Sequence, residues 1–108
     1  MQVERSHHID CSEPDADGMY SYYYEYDSYH FRDGSTVVSA RSYTDTADEA
    51  AFLGIGVNGT SRLMRAADLQ LPLLRDAAAY LRNEGKTQLR WLDRKTGGYQ
   101  PVPSTAQR

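Results

Sequence analysis

Residues 20–43, YSYYYEYDSYHFRDGSTVVSARSY, contain seven of the nine tyrosines in the chain. Tyrosine, phenylalanine and valine are favoured in half-buried strands. Between the two runs of these residues, the Asp33-Gly34 pair is typical of a two-residue type I′ turn. The stretch therefore predicts a β-hairpin, with residues 19–31 as its first strand and residues 37–43 as its second.

The aromatic side chains of the first strand change face part-way along it. Successive side chains alternate in a strand, so Tyr22, Tyr24 and Tyr26 share one face while Tyr29 lies on the other. One inserted residue would bring all of them to the same side, which is the effect of a β-bulge. We therefore predict a bulge at Asp27-Ser28.

The segment before the hairpin, residues 1–17, shows neither helical nor strand periodicity. We expect it to form a flexible N-terminal arm. The arm contains four residue types that could ligate a transition metal, at His7, His8, Asp10 and Cys11. Ligands need surrounding side chains to hold them in place, so an arm would bind a metal only adventitiously. We predict no metal site and no cofactor.

Two elements are predicted directly after the hairpin. Residues 46–49, TADE, match a capping box, which predicts a short helix over residues 47–53. Asn58-Gly59 then predicts a second type I′ hairpin within FLGIGVNGTSRLMR, with an irregular loop as the alternative. The glycines of GIGVNG also satisfy G-x-G-x-x-G, but the strand, helix and chain length of a dinucleotide fold are missing around them. We interpret them as turn glycines.

A second helix and a last pair of strands complete the prediction. Pro72 suits a first helical turn, and Gly85 suits the position just after a helix. Apolar residues between them recur at helical spacing. Strand alternation follows in residues 87–93, and the prolines near residues 99–102 restrict that last piece to a sheet edge. The predicted core contains Leu74, Tyr80, Leu81 and Trp91.

These elements predict one α+β domain over residues 18–103, between the N-terminal arm and a C-terminal tail at residues 104–108. The expected order is ββαββαββ, with a mostly antiparallel sheet and two helices packed on one face. A chain of 108 residues is the length of one domain. Its 40% apolar and 25% charged residues are ordinary for a folded protein.

The sequence gives no sign of a membrane segment. No run approaches the roughly 20 apolar residues that cross a bilayer, and residues 1–13 are polar. One cysteine is consistent with a reducing compartment. We therefore expect a cytoplasmic protein with no membrane partner.

Charge is divided unevenly along the chain. Residues 1–54 hold 11 acids and 3 bases, net −8, and residues 55–108 hold 4 acids and 9 bases, net +5, which together give −3. Arg75, Arg82 and Arg90 form a candidate basic surface, and bases beside tyrosines on a sheet are typical of single-stranded nucleic-acid binding. Glu25 and Asp27 lie within the tyrosine strand, where they would repel phosphates. Nucleic acid is therefore the alternative partner and not the expected one.

The tyrosines point more directly to function. A covered sheet needs large inward residues, so some tyrosines could be core. A small domain has room for few buried hydroxyls, so others must be exposed. Exposed, clustered tyrosines with interleaved acids are typical of protein-recognition surfaces. We expect a protein–protein interaction module, such as an inhibitor, immunity or regulatory protein, that binds through Tyr20, Tyr22, Tyr23, Glu25 and Asp27.

Two alternatives stay open beside this expectation. His30 could lie near a carboxylate and act as a general acid or base, so a small enzyme with an unrecognised site is the minority hypothesis. Exposed hairpin edges can also pair with each other, which leaves self-association open.

Three stretches, YEYDSYHF, ARSYTDTADEAAFL and PLLRDAAAYLRNEGK, resemble a family of small bacterial single-domain proteins to which we can assign no function. The resemblance covers roughly residues 20–103. It implies a single small domain and supplies no chemistry.

Overall fold

Alternating apolar and polar residues build most of this protein as strands. The computed structural model describes residues 1–103. Within them lies a seven-stranded sheet with one α-helix and two short 3₁₀ turns, at Thr44–Thr46 and Ala66–Gln70. The elements are β1 (Gln2–Cys11), β2 (Tyr23–Asp33), β3 (Thr36–Tyr43), β4 (Glu49–Val57), β5 (Thr60–Arg62), α1 (Pro72–Asn83), β6 (Gln88–Leu92) and β7 (Tyr99–Pro101).

The sheet is mixed. Its strand order is β1-β2-β3-β4-β6-β7, and β5 pairs with the end of β4. All named pairs are antiparallel except β4 and β6, which are parallel. Parallel neighbours need a crossover, and α1 lies on the connection between them. The α+β class is confirmed, and the sheet is mostly antiparallel with one parallel pair. The predicted order ββαββαββ with two helices is wrong.

The helix predicted over residues 47–53 does not form, because β4 begins at Glu49. Ala50 and Phe52 alternate with half-buried residues, and both are buried on one face of the sheet. This part of the chain pairs with β3 on one side and β6 on the other. Strand pairing on both edges of β4 overrides the local capping signal of residues 46–49.

The expectation of an N-terminal arm without regular structure is wrong for Gln2–Cys11, which form the edge strand β1. This strand pairs in continuous register with β2, from Gln2 opposite Arg32 to Cys11 opposite Tyr23. Most of its side chains are exposed, so it has no apolar alternation for sequence reasoning to detect. Its structure comes from the backbone hydrogen bonds that β2 offers.

The bulge predicted at Asp27-Ser28 is absent. Pairing of β2 is regular with both neighbours through this point, so Tyr26 and Tyr29 lie on opposite faces. Tyr29 is fully buried and Tyr26 is half-buried. The pairing irregularity lies instead between β3 and β4, at Ser39-Ala40.

Both predicted hairpins form, with one change of turn. The first turn is Gly34-Ser35, one residue later than predicted. Of the two turn residues, Gly34 has a positive φ of 62° and Ser35 does not, which is the pattern of a type II′ turn. In the second turn Asn58 and Gly59 both have positive φ, at 52° and 85°, as type I′ requires.

One glycine of the GIGVNG stretch has a packing role and is not part of a turn. Gly54 lies within β4, where a Cβ atom would come within 2.9 Å of the Arg62 carbonyl oxygen. A larger residue there would push β5 away from β4. Only Gly59 of this stretch is a turn glycine.

The core lies between α1 and one face of the sheet, which we name the helix face. Trp91, Leu81 and Leu74 are buried as predicted, and Tyr80 is half-buried against the same cluster. The Tyr80 ring contacts Phe31, with ring centroids 5.6 Å apart. The opposite side of the sheet, which we name the open face, has no fully buried side chain among its strand residues.

Two sequence expectations concern the ends of the chain and its relation to membranes. The predicted tail at residues 104–108 lies outside the described residues. Within residues 1–103, no helix has the length and apolar character to cross a membrane.

Candidate functional site

The open face displays a row of aromatic side chains across β2 and β3. Regular alternation in these strands places four tyrosine rings side by side. Ring centroids are 6.1 Å apart for Tyr22 and Tyr24, 6.1 Å for Tyr24 and Tyr43, and 5.5 Å for Tyr26 and Tyr43. We name these four residues the tyrosine band. Its members Tyr22, Tyr24 and Tyr43 are between 36% and 54% exposed.

Two other groups extend the tyrosine band. The His8 ring stacks on Tyr26 from β1, with centroids 5.3 Å apart. The Arg41 guanidinium lies over the Tyr26 ring, 4.1 Å from its centroid. Arg41 also donates a hydrogen bond from Nη1 to the Tyr43 hydroxyl at 3.3 Å. Stacking and cation–π contacts of this kind hold the rings in place.

A cavity of about 400 Å³ opens beside the tyrosine band, at the ends of β3, β4 and β6. Tyr24, Tyr43 and Tyr99 contribute aromatic walls, and Arg41 and Arg90 contribute positive charge. Its remaining lining residues are Thr46, Glu49, Ala50, Ala51 and Leu53. Aromatic rings and charged groups therefore both line this cavity.

The other tyrosines of the predicted binding group lie away from this band. Tyr23 alternates to the helix face and donates its hydroxyl to Glu25 Oε1 at 3.4 Å. Tyr20 precedes β2 and packs on Tyr23, with ring centroids 5.4 Å apart. Both rings are 47% exposed. The structure thus divides the exposed tyrosines into two clusters on two sides of the sheet.

Glu25 and Asp27 also lie on the helix face, beyond the part that α1 covers. His7 bridges them, with Nδ1 2.7 Å from Asp27 Oδ1 and Nε2 2.7 Å from Glu25 Oε2. Arg5 adds a contact of 2.8 Å to Asp27 and one of 3.0 Å to Glu84. Of the residues predicted to bind a partner, only Tyr22 belongs to the tyrosine band.

The charges of this cluster stabilise one another. Hydrogen bonds to Asp27 and then to Glu25 raise the pKa of His7 above its ordinary value. Burial raises the pKa of Asp27, but hydrogen bonds from His7 and Arg5 outweigh it and leave the pKa lowered. Both imidazole nitrogens face carboxylate oxygens, so both can donate a hydrogen bond when the ring is doubly protonated.

The bridge by His7 predicts a pH dependence of stability. The pKa of His7 is raised on folding, so its stabilising contribution is complete below the unfolded pKa of about 6.5 and is lost as pH rises through the folded value. His7→Gln should therefore destabilise the protein at pH 5.5 and have a smaller effect at pH 8.5. Urea unfolding of both proteins at the two pH values measures the difference.

The control for this prediction is His8→Gln, which keeps His7 and its two carboxylates. Its stability relative to wild type should not follow the pH dependence of the His7 variant. An equal loss at both pH values in His7→Gln would contradict the charged bridge.

The alternative basic surface does not form one patch. Arg75 is exposed on α1 and donates to Gln70 Oε1 at 3.2 Å, and the half-buried Arg82 lies two turns further along the same helix face, where both line one groove. Arg90 lies on the open face, where its Nη1 is 3.0 Å from Glu49 Oε1. The sheet separates Arg90 from the other two.

The two histidines of β1 that were candidate metal ligands contact neighbouring side chains. Both ring nitrogens of His7 contact carboxylates, and His8 Nε2 is 2.8 Å from the Ser6 hydroxyl. Cys11 is half-buried at the end of β1. Within residues 1–103, no group of three or more histidine, cysteine or acidic residues is arranged to hold a metal ion.

Comparison with known proteins gives no relative from which a role could be transferred. No family model matches the sequence, and comparisons with curated proteins and with solved structures give no significant match. The residues of the site therefore have to be assigned from their own geometry.

Sequence reasoning missed Arg41, Tyr43 and His7 as parts of these clusters. Tyr43 belongs to the second predicted strand, which carries no sign of a contact with Tyr24, and His7 belongs to the predicted arm. Strict alternation from Tyr22 to Tyr26 was the available signal for the tyrosine band, and the predicted bulge obscured it. Nothing in the sequence shows that β1 would bring His7 opposite Asp27.

Proposed function

We propose that this protein is a recognition module that binds a partner protein through the tyrosine band on its open face. The observation that supports the proposal is a run of contacting, partly exposed tyrosine rings on a sheet face that α1 does not cover. Contiguous exposed aromatic surface is uncommon on a monomer and typical of interaction sites.

The core does not need these tyrosines. Tyr29, Phe31, Phe52 and Trp91 already fill the helix face and are buried. The tyrosine band lies on the opposite side, where its rings contact each other and Arg41. Because the tyrosine band is not part of the core, core packing does not explain its four tyrosines. Partner binding explains them better.

Tyrosine is also a suitable residue for such a surface. It offers a large rigid contact area with few side-chain torsions to freeze, together with a hydroxyl for hydrogen bonding. Mutual packing of Tyr24, Tyr26 and Tyr43 restricts their rotamers before binding, which lowers the entropy cost of association. An inhibitor, immunity or regulatory role would use this surface in the same way, and the single cysteine fits action in a reducing cytoplasm.

Affinity capture with matched variants tests the proposal. Wild type, Tyr24→Ser/Tyr43→Ser and Tyr20→Ser/Tyr23→Ser are used as baits in lysate of the source cell, with captured proteins quantified by mass spectrometry. We expect one protein to be depleted at least ~10-fold by the Tyr24/Tyr43 change and retained by the Tyr20/Tyr23 change. Circular dichroism of all three baits confirms that they are folded.

Two results would contradict the proposal. One is a captured protein lost only with the Tyr20/Tyr23 change, which would move the site to the other tyrosine cluster. The other is no protein whose capture depends on either pair.

Single-stranded nucleic acid is the second candidate, and one observation favours it. Glu25 and Asp27 lie on the helix face, so they do not interrupt the tyrosine band as the sequence alone suggested. Bases can stack on exposed tyrosines, and such binding weakens steeply with salt. Binding of a labelled thymidine oligomer that is salt-sensitive, and is lost in Tyr22→Ala/Tyr24→Ala, would place nucleic acid first.

A further inference from the structure

Arg41 differs from the other arginines of the sheet. Each of those has a carboxylate partner: Arg5 with Asp27 at 2.8 Å, Arg32 with Glu4 at 3.7 Å, Arg62 with Asp68 at 2.7 Å and Arg90 with Glu49 at 3.0 Å. Within residues 1–103, Arg41 has only the Tyr43 hydroxyl as a hydrogen-bond acceptor. Its Nε atom is buried and has no hydrogen-bond partner.

The Arg41 guanidinium is held in place but has no carboxylate partner among residues 1–103. The guanidinium is fixed between the Tyr26 ring and the Tyr43 hydroxyl, and it is half-buried. Removing a charge from water without pairing it is costly. A guanidinium offers five N–H donors, and a carboxylate can accept two of them side by side.

The cavity beside Arg41 has room for a side chain bearing such a group. This cleft of about 400 Å³ is lined by Tyr24, Tyr43 and Tyr99, so an aliphatic or aromatic stem would contact their rings. Arg90 lines the far side and already contacts Glu49. A carboxylate that reaches Arg41 would therefore meet two positive charges. Arg41 has no carboxylate partner among residues 1–103, and Arg90 is already paired with Glu49.

Glu49 discriminates between kinds of anion. Its carboxylate lines the same cavity, 3.0 Å from Arg90. Arg41, Arg90 and Glu49 together carry one net positive charge, which a single carboxylate neutralises, whereas a phosphate monoester with close to two negative charges would leave one of them uncompensated. The charge balance of the cavity thus favours an aspartate or glutamate side chain over a phosphorylated residue.

We propose that the cavity beside Arg41 binds an acidic side chain of the partner protein, with Arg41 as the residue that holds its carboxylate. The inference rests on the proposed function, because it assigns the chemistry of the partner that contacts the tyrosine band. Tyr43 is a positioning residue, since it orients the Arg41 guanidinium through its hydroxyl.

Titration with defined peptides tests this inference without knowledge of the partner. The probe is a blocked pentapeptide with one glutamate between two leucines, compared with peptides in which glutamine or phosphoserine replaces the glutamate. Binding is followed by NMR, on the side-chain N–H signals of Arg41 in the wild type and on the backbone amide signals of the residues that line the cavity in every protein. We expect the glutamate peptide to bind at least ~10-fold more tightly than the glutamine peptide, because a charge-assisted hydrogen bond is lost in the latter.

Variants assign the effect to Arg41. Arg41→Gln should abolish the preference for glutamate, and Arg41→Lys should keep part of it, because lysine retains the charge without the paired donors. Arg75→Gln, which removes an exposed arginine on α1, should leave it unchanged. The amide spectrum of each variant shows whether the protein is folded.

Several results would overturn the inference. In the wild type, these are the absence of any shift of the Arg41 signals up to ~10 mM peptide and equal affinity for the glutamate and glutamine peptides. Tighter binding of the phosphoserine peptide or of a thymidine oligomer would also overturn it. So would an Arg41→Gln protein that still prefers the glutamate peptide. Each of these results is distinct from failure of the proposed function, which is tested by whether capture of a partner protein is lost in Tyr24→Ser/Tyr43→Ser. If capture requires those tyrosines but not Arg41, the recognition surface stands and the acidic ligand is wrong.

Discussion

Trp91→Ala is expected to lower the free energy of unfolding by about 3–5 kcal/mol. Trp91 is 5% exposed and lies on the helix face of β6, opposite Phe52 in the parallel pair with β4. Truncating its side chain removes buried apolar surface and leaves a cavity at the point where β4, β6 and α1 meet. Chemical denaturation monitored by far-UV circular dichroism gives the free energy of each protein.

Tyr99→Ala is the matched control for this prediction. Tyr99 lies on the neighbouring strand β7, on the open face, and is 55% exposed. Its truncation should cost less than about 1 kcal/mol, as for most surface substitutions. If Trp91→Ala and Tyr99→Ala lowered the free energy of unfolding equally, the core would not be confined to the helix face of the sheet.

Arg62→Leu is expected to lower the free energy of unfolding by about 1.5–3 kcal/mol, the range for hydrogen bonds to charged groups. Arg62 makes two contacts with the Asp68 carboxylate, Nη1 to Oδ2 at 2.7 Å and Nη2 to Oδ1 at 2.8 Å. The same carboxylate accepts the Arg65 backbone N–H at 2.8 Å and starts the Ala66–Gln70 turn before α1. Losing Arg62 leaves the Asp68 charge buried with one donor.

The pair also predicts an acid dependence. Hydrogen bonds from Arg62 lower the pKa of Asp68, with burial opposing them. A lowered pKa contributes stability above the unfolded value of about 3.9, and this contribution is lost as pH falls through the folded value. Stability measured from pH 6 to pH 2 should therefore fall less in Arg62→Leu than in wild type.

Arg90→Leu provides the comparison for the ion pair. The Arg90 side chain is 51% exposed beside Glu49, and exposed pairs contribute from zero to about 1 kcal/mol. We infer that burial of Asp68 makes the Arg62–Asp68 ion pair contribute more stability than the exposed Arg90–Glu49 pair. Equal destabilisation by Arg62→Leu and Arg90→Leu would contradict this inference.

The parts of the fold with strong local signals are predictable from sequence. Pro72, the apolar spacing of the helix and Gly85 predict α1, which runs from Pro72 to Asn83. Asn58-Gly59 predicts the second hairpin and its type I′ turn. In these segments local propensity and tertiary packing favour the same structure.

The errors arise where pairing outweighs local preference. The capping box at residues 46–49 is overridden because β4 is hydrogen-bonded on both sides. Strand β1 gives no periodic signal because most of its side chains are exposed, and only β2 determines its conformation. A parallel pair between β4 and β6 joins segments more than thirty residues apart, which local patterns do not reveal.

The candidate site was predictable only in part, for the same reason. Alternation assigns Tyr22, Tyr24 and Tyr26 to one face. Their neighbours Tyr43 and Arg41 depend on the register between β2 and β3, which pairs Tyr26 with Tyr43. That register follows from the first turn, which lies one residue later than its sequence signal.

The most direct test of partner binding on the open face is site-specific photo-cross-linking in the source cell. A benzoylphenylalanine replaces Tyr24 in the tyrosine band in one protein and Asp76, an exposed residue of α1, in another. We predict a single major cross-linked partner from position 24 and none of that partner from position 76. Cross-linking of the partner from position 76 and not from position 24 would contradict the assignment of the open face as the binding surface.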